Sequence, residues 1–195
     1  MDIKKEEKNI INWLNEEDNT NYTIKDLPDN ISRENWYLIS EHRRTSENFM
    51  KKYKNYLSWV LISKYYNLSE EFIEEMKNYV FWTYISMHQT LSESFIEKYK
   101  NKLNWICISR FQTLSEDFIR KYKNYVNWDN ISSCQILSEN FIAEHKNYVT
   151  WNNISSQQVL SKSFTKKFKD KLNWNLISKK RRIFSKNFIK NIFKR

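Results

Sequence analysis

The sequence predicts an all-α fold, an α-solenoid of about seven stacked 23-residue helix-turn-helix repeats. Three observations carry that expectation. The tryptophans Trp13, Trp36, Trp59, Trp82, Trp105, Trp128, Trp151 and Trp174 are separated by 23 residues at every step, and a fixed period of this length marks a repeat architecture. Glycine is absent and proline occurs once, at Pro28, which removes the tight hairpin turns of β structure and most helix breakers. The residues between the tryptophans also recur, with helical spacing.

With each Trp as position 0, Ile stands at +3 and Ser at +4, from Ile39-Ser40 to Ile177-Ser178. Leu recurs at +9, Ser at +10, Phe at +13 from Phe49 to Phe164, and Lys at +18. Ser at +10 predicts a helix N-cap, its oxygen accepting from an otherwise unpaired backbone N–H. Glu70, Glu93, Glu116 and Glu139 follow at +11, at the positive end of that helix. Leu at +9 and the apolar residue at +14 form a hydrophobic staple, and +13, +14 and +17 make one apolar stripe. Asn at +19, as in Asn55, Asn101 and Asn124, is expected to end the helix in the left-handed conformation, because no glycine is at hand. Asn35, Ser58, Asn104, Asn127, Thr150 and Asn173 at +22 predict a second N-cap, with the Trp opening a short helix. Each repeat is thus expected to be a helix of about ten residues followed by one of about eight, neither stable alone. The stripes must therefore be buried by stacking, and truncating a central Trp to Ala is expected to cost roughly 3–5 kcal/mol.

The ends depart from the pattern. Residues 1–35 are expected to be an irregular N-terminal cap: Lys8 to Trp13 keep register, but Leu14-Asn15-Glu16-Glu17 replaces the Ile-Ser step and Asp26-Leu27-Pro28-Asp29 fits no column. Residues 36–182 form the tandem repeats. Residues 183–195 are expected to be a basic C-terminal capping helix, with Phe184, Ser185 and Phe188 one place late. Solenoids need such caps for solubility.

The phrases LSEDFIRKYKNYVNW and LSENFIAEHKNYVTW resemble the tandem LSExFI…KxxxxW…IS arrays of uncharacterised proteins of giant DNA viruses and phages. The resemblance covers residues 36–183. It implies a helical-repeat fold and a viral source, and with the latter a host protein as target. It implies no activity.

The net charge of +10 is unevenly placed: residues 1–35 carry five basic and nine acidic groups, residues 160–195 thirteen and one. No apolar run approaches the length of a membrane span, and the first residues lack a secretory apolar stretch, so the expected location is intracellular and cytoplasmic. Cys107 and Cys134 sit at different offsets of adjacent repeats and are expected to be thiols, as a reducing compartment keeps them.

Neither a cofactor nor a metal is expected. Gly-rich phosphate loops are excluded by composition. His42 and His88 lie two repeats apart, and the cysteines lack metal-ligand spacing. Serines that recur in every repeat read as structural caps rather than nucleophiles. The expected function is that of a non-enzymatic scaffold for a macromolecular partner, a protein. Contacts are sought where repeats differ, at +1, +2 and +5: Tyr37, Glu41, Lys64, Tyr84, Met87, Arg110, Asn130 and Asn153. The alternative is nucleic-acid binding. It would use the +18 lysines Lys100, Lys123, Lys146 and Lys169, interleaved with Tyr at +20, and the basic tip Lys179, Lys180, Arg181 and Arg182. A lysine near a helix C-terminus is also favoured by the helix dipole alone.

Overall fold

A computed structural model describes residues 2–42 and 45–180 of the chain. Arg181, Arg182 and the expected capping helix at 183–195 lie outside the described residues. Among the described residues the regular structure is entirely helical, and the repeats stack as the sequence predicts.

The short helices open on or just before each Trp: α2 (Arg33–Glu41), α4 (Trp59–Tyr65), α6 (Trp82–His88), α8 (Trp105–Phe111), α10 (Trp128–Cys134) and α12 (Trp151–Gln157). The intervening helices are α3 (Glu47–Lys52), α5 (Glu70–Glu75), α7 (Glu93–Lys98), α9 (Glu116–Lys121), α11 (Glu139–Glu144) and α13 (Lys162–Lys167). Their N-caps are as expected: Ser46, Ser69, Ser92, Ser115, Ser138 and Ser161 each accept from the N–H of the +13 Phe. These helices are six residues long, shorter than expected. From +17 the chain tightens into turns, as where the Tyr79 N–H donates to the Met76 carbonyl at 2.8 Å. That right-handed tightening makes a left-handed Asn at +19 unnecessary, and among the described residues the only positive φ is at Asn19.

The +22 caps are mixed. Asn127 accepts from the Asn130 N–H at 2.9 Å and Asn173 from Leu176 at 3.3 Å. Ser58 and Thr150 make no such bond, and Asn35 lies inside α2, whose cap is Ser32.

Within each compact stretch of repeats the core is a column of isoleucines. Ile62, Ile85, Ile108, Ile131 and Ile154 at +3 are completely buried, as are Ile73, Ile96, Ile119 and Ile142 at +14. The tryptophans sit beside this column. Trp36 and Trp59 are buried, but Trp82, Trp105, Trp128 and Trp151 are only half-buried. The indoles of Trp59, Trp82, Trp128, Trp151 and Trp174 span the turn before them, Trp128 Nε1 donating to the Lys123 carbonyl and Trp151 Nε1 to that of Lys146, both at 3.0 Å, whereas Trp36 Nε1 donates to the Pro28 carbonyl.

Three polar columns join consecutive repeats. The +4 serines are clamps rather than caps. Ser109 Oγ donates to the Trp105 carbonyl at 2.7 Å and accepts, at 2.8 Å, from the N–H of Asn127, the first residue of the next turn. Ser40, Ser86 and Ser155 do the same toward Ser58, Asn104 and Asn173. Glutamines at +7 form a second column. Gln135 Nε2 donates to the carbonyls of Ser109 (3.0 Å) and Gln112 (2.8 Å), while its Oε1 accepts from the Leu114 N–H at 3.1 Å. Gln89 and Gln158 repeat this arrangement one period apart from their own partners. In the third column a +11 glutamate grips the next +10 serine with both oxygens, as Glu116 does to the Ser138 N–H (2.6 Å) and Oγ (3.0 Å).

Residues 1–35 are more regular than expected. Residues Ile3–Asp18 form α1, a 16-residue helix capped by Asp2, because Ile10, Ile11 and Leu14 give it a buried stripe. Glu6 plays the +11 glutamate toward Ser46, with both bonds at 2.6 Å. Glu7 accepts from Lys52 Nζ at 2.6 Å and from the Tyr53 hydroxyl at 2.8 Å.

The chain divides into two compact units, residues 1–104 and 105–195, a boundary just before a repeat Trp. In the first unit α1 packs on α3, α2 on α4 and α4 on α6; in the second α10 packs between α8 and α12.

Candidate functional site

Side chains that recur in every repeat are engaged in the scaffold, so a site has to come from those that differ or those that point outward. In the first unit three of the sequence-predicted residues stand on successive packed short helices, Tyr37 on α2, Lys64 on α4 and Tyr84 on α6. Lys64, near the end of α4, carries its ammonium 4.7 Å from the Tyr65 ring centroid. A hydrogen bond with Tyr65 holds its pKa above the usual lysine value, and the phenols of Tyr84 and Tyr37 on the flanking short helices act in the same direction. Tyr37 is 51% exposed, Val60 36% and Phe81 47%, and the Phe81 and Tyr84 rings lie 6.4 Å apart. Consecutive short helices of this unit thus carry partly exposed aromatic side chains, with Lys64 on the helix between them. Glu41 is exposed and Met87 half-buried on the same helices.

In the second unit α10 and α12 are polar, whereas α8 exposes Ile106 and Phe111. Asn130 Nδ2 donates to the Ile106 carbonyl and Asn153 Nδ2 to that of Asp129, both at 3.1 Å. Position +2 is thus an inter-repeat joint here, and both amides are partly committed to it. Asp129 accepts from the Thr150 hydroxyl. Arg110 is exposed and lies 5.2 Å over the Phe111 ring.

The +18 lysines line a different edge. Lys123, Lys146 and Lys169 are exposed, whereas Lys100, in the first unit, is half-buried. Each +20 side chain covers the outer face of a Trp. Tyr125 lies tilted against Trp105 with ring centroids 5.1 Å apart, and Tyr148 against Trp128 at 5.2 Å. Where +20 is lysine the cover is a cation, Lys171 lying 5.7 Å over Trp151. At the tip, Lys179 is exposed. Lys180 turns inward, its Nζ donating to the Gln158 carbonyl at 2.7 Å, and burial pushes its pKa down. It takes the place of the amide that a further +7 glutamine would supply, so it belongs to the scaffold.

Comparison with protein-family models, curated proteins and solved structures finds no match to this chain.

Among the described residues no group of three or more His, Cys, Asp or Glu side chains gathers in a way that could hold a metal, and no helix is long and apolar enough to cross a membrane. Cys107 is buried, which raises its thiol pKa, and Cys134 is exposed. Sequence reasoning missed Tyr65 and Phe81, because it sampled only +1, +2 and +5. It also missed the glutamine column, whose period-23 recurrence at Gln89, Gln112, Gln135 and Gln158 was open to view.

Proposed function

We propose that this chain is a non-enzymatic repeat scaffold that binds a protein through the short-helix face of its first unit. The observation that carries the reading is the placement of Tyr37, Lys64 and Tyr84 on three successive, packed short helices, with Tyr37, Val60 and Phe81 exposed. Aromatic residues are enriched in protein interfaces because they bury large areas at a low entropic cost. Here they stand on helices held by buried serine clamps, so little order has to be gained on binding. If the chain acts in a virus, the partner is a host protein.

The test is affinity capture with the full chain, comparing the wild type with Tyr37→Ser/Tyr84→Ser and with Lys123→Gln/Lys146→Gln/Lys169→Gln. The reading expects one stoichiometric protein that the tyrosine variant loses and the lysine variant keeps. Purified, that protein should bind the tyrosine variant at least about tenfold more weakly, the loss of one interface anchor. Equal capture by the wild type and the tyrosine variant overturns it.

A further inference from the structure

The second unit carries an outward edge that the protein-binding reading does not use. Lys123, Lys146 and Lys169 occupy the same place in successive repeats and are exposed. Their backbone is pinned, because each carbonyl accepts from the indole of the following Trp at 3.0 Å. Among the described residues no carboxylate pairs with their ammonium groups. The neighbouring acids are engaged elsewhere. Glu116 and Glu139 hold Ser138 and Ser161, while Glu144 and Asp117 take Arg120 at 2.9 and 2.7 Å. Asp170 beside Lys169 is the exception. Lys123 and Lys146 are therefore uncompensated cations, and Lys169 has only its chain neighbour Asp170 beside it.

Aromatic faces are interleaved with them. Tyr125 and Tyr148 each lie tilted against a Trp, with ring centroids 5.1 and 5.2 Å apart, yet each remains 46% exposed. This contact holds the ring while nearly half of the residue stays open to solvent. Cations for a backbone and aromatic faces for bases are the two features that hold single-stranded nucleic acid without sequence preference. A duplex keeps its base faces inside the stack and would leave the tyrosines idle. An acidic peptide would meet the lysines, but its carboxylate side chains offer no aromatic face to the rings.

We propose that this edge, Lys123-Tyr125, Lys146-Tyr148 and Lys169-Lys171, is a binding track for single-stranded nucleic acid. The track avoids Lys180, which is bound inward, and it is independent of Tyr37, Lys64 and Tyr84.

The fold itself supplies the discriminating variant. Lysine already covers a Trp at +20 in Lys102 and Lys171, at 5.3 and 5.7 Å, so Tyr125→Lys/Tyr148→Lys keeps a cover the repeat accepts. It adds positive charge and removes the aromatic faces. Labelled oligouridylate and oligothymidylate are titrated by fluorescence polarisation with the full chain over a range of salt, with a duplex and polyglutamate as competitors. Circular dichroism checks that each variant is folded. The track expects the Tyr→Lys pair to bind at least about fivefold more weakly despite its extra charge. It expects Lys123→Gln/Lys146→Gln/Lys169→Gln to lower the slope of log K against log salt by about 2, and both competitors to be weak. Tyr→Lys binding as tight as the wild type, or tighter, overturns the proposal in favour of a bare electrostatic surface. Equal competition by duplex overturns it as a single-strand track, and equal competition by polyglutamate points to an acidic protein instead. Absence of binding at physiological salt ends it.

Discussion

Ser109 shows how much one small side chain can hold in this fold. It is completely buried, and it both closes its own helix turn and receives the N–H that starts the next one. Replacing it with alanine leaves that N–H without a partner, a desolvation cost of about 1–3 kcal/mol. Gln135 satisfies one N–H and two carbonyls, so Gln135→Leu is expected to cost more, about 3 kcal/mol or above, although it keeps the side-chain volume. Urea denaturation of the two variants checks the order: a Gln135→Leu protein no less stable than Ser109→Ala would contradict it. The recurrence of Ser at +4 was legible in the sequence, but its role was not. A cap binds three residues onward, whereas this hydroxyl finds its acceptor four residues back and its donor 18 residues on, a distance only the stacked fold makes short. The Trp column misleads in the same way. Its regularity suggests a core, while the structure buries Ile131 completely and leaves Trp128 half-open beneath Tyr148.

At the scale of elements, the helix boundaries follow local chemistry and the N-terminal helix follows tertiary chemistry. The Ser N-caps were readable because a cap is made within three residues. Helix α1 was not, because its carboxylates look ordinary until Ser46, Lys52 and Tyr53 are brought to them. This contact carries a pH dependence. The hydrogen bond from Lys52 to Glu7 raises the lysine pKa above 10.5, and burial, then the Glu7 hydrogen bond, raises that of Tyr53 above 10.0. A raised folded-state pKa contributes stability that is fully present below the unfolded value and is lost as pH rises through the folded one. The docking of α1 on α3 is therefore expected to be intact at neutral pH and to weaken above about pH 10.5. Alkaline denaturation of the wild type should show this slope and Glu7→Gln should flatten it; parallel curves for the two would remove Glu7 from the explanation.

At the scale of the whole chain, the three polar columns make the repeat a unit of addition and removal. Each column links a residue only to the neighbouring repeat, the condition under which stability becomes a sum of repeat and nearest-neighbour contributions. Removing residues 128–150 joins Asn127 to Trp151 and restores every partner in kind. Ser109 still receives the Asn127 N–H, Trp151 finds the Lys123 carbonyl five residues before it, Gln158 meets the carbonyls that Gln135 now takes, and Glu116 meets Ser161. This protein is expected to fold, with unchanged helicity per residue and a lower urea midpoint. Removing only 129–150 shifts every later residue by one place, turning Ile154 off the core and Gln158 away from its carbonyls. That protein is expected to lose helical signal from the shifted segment. Far-ultraviolet circular dichroism of the two deletions decides the matter, since equal loss in both would mean that the columns do not set the register. The same locality accounts for what sequence reading could and could not reach. A period of 23 specifies the stack because each repeat asks the same thing of its neighbour, whereas Tyr37, Lys64 and Tyr84 stand at positions where the repeats differ, and nothing in the period announces what such positions would meet.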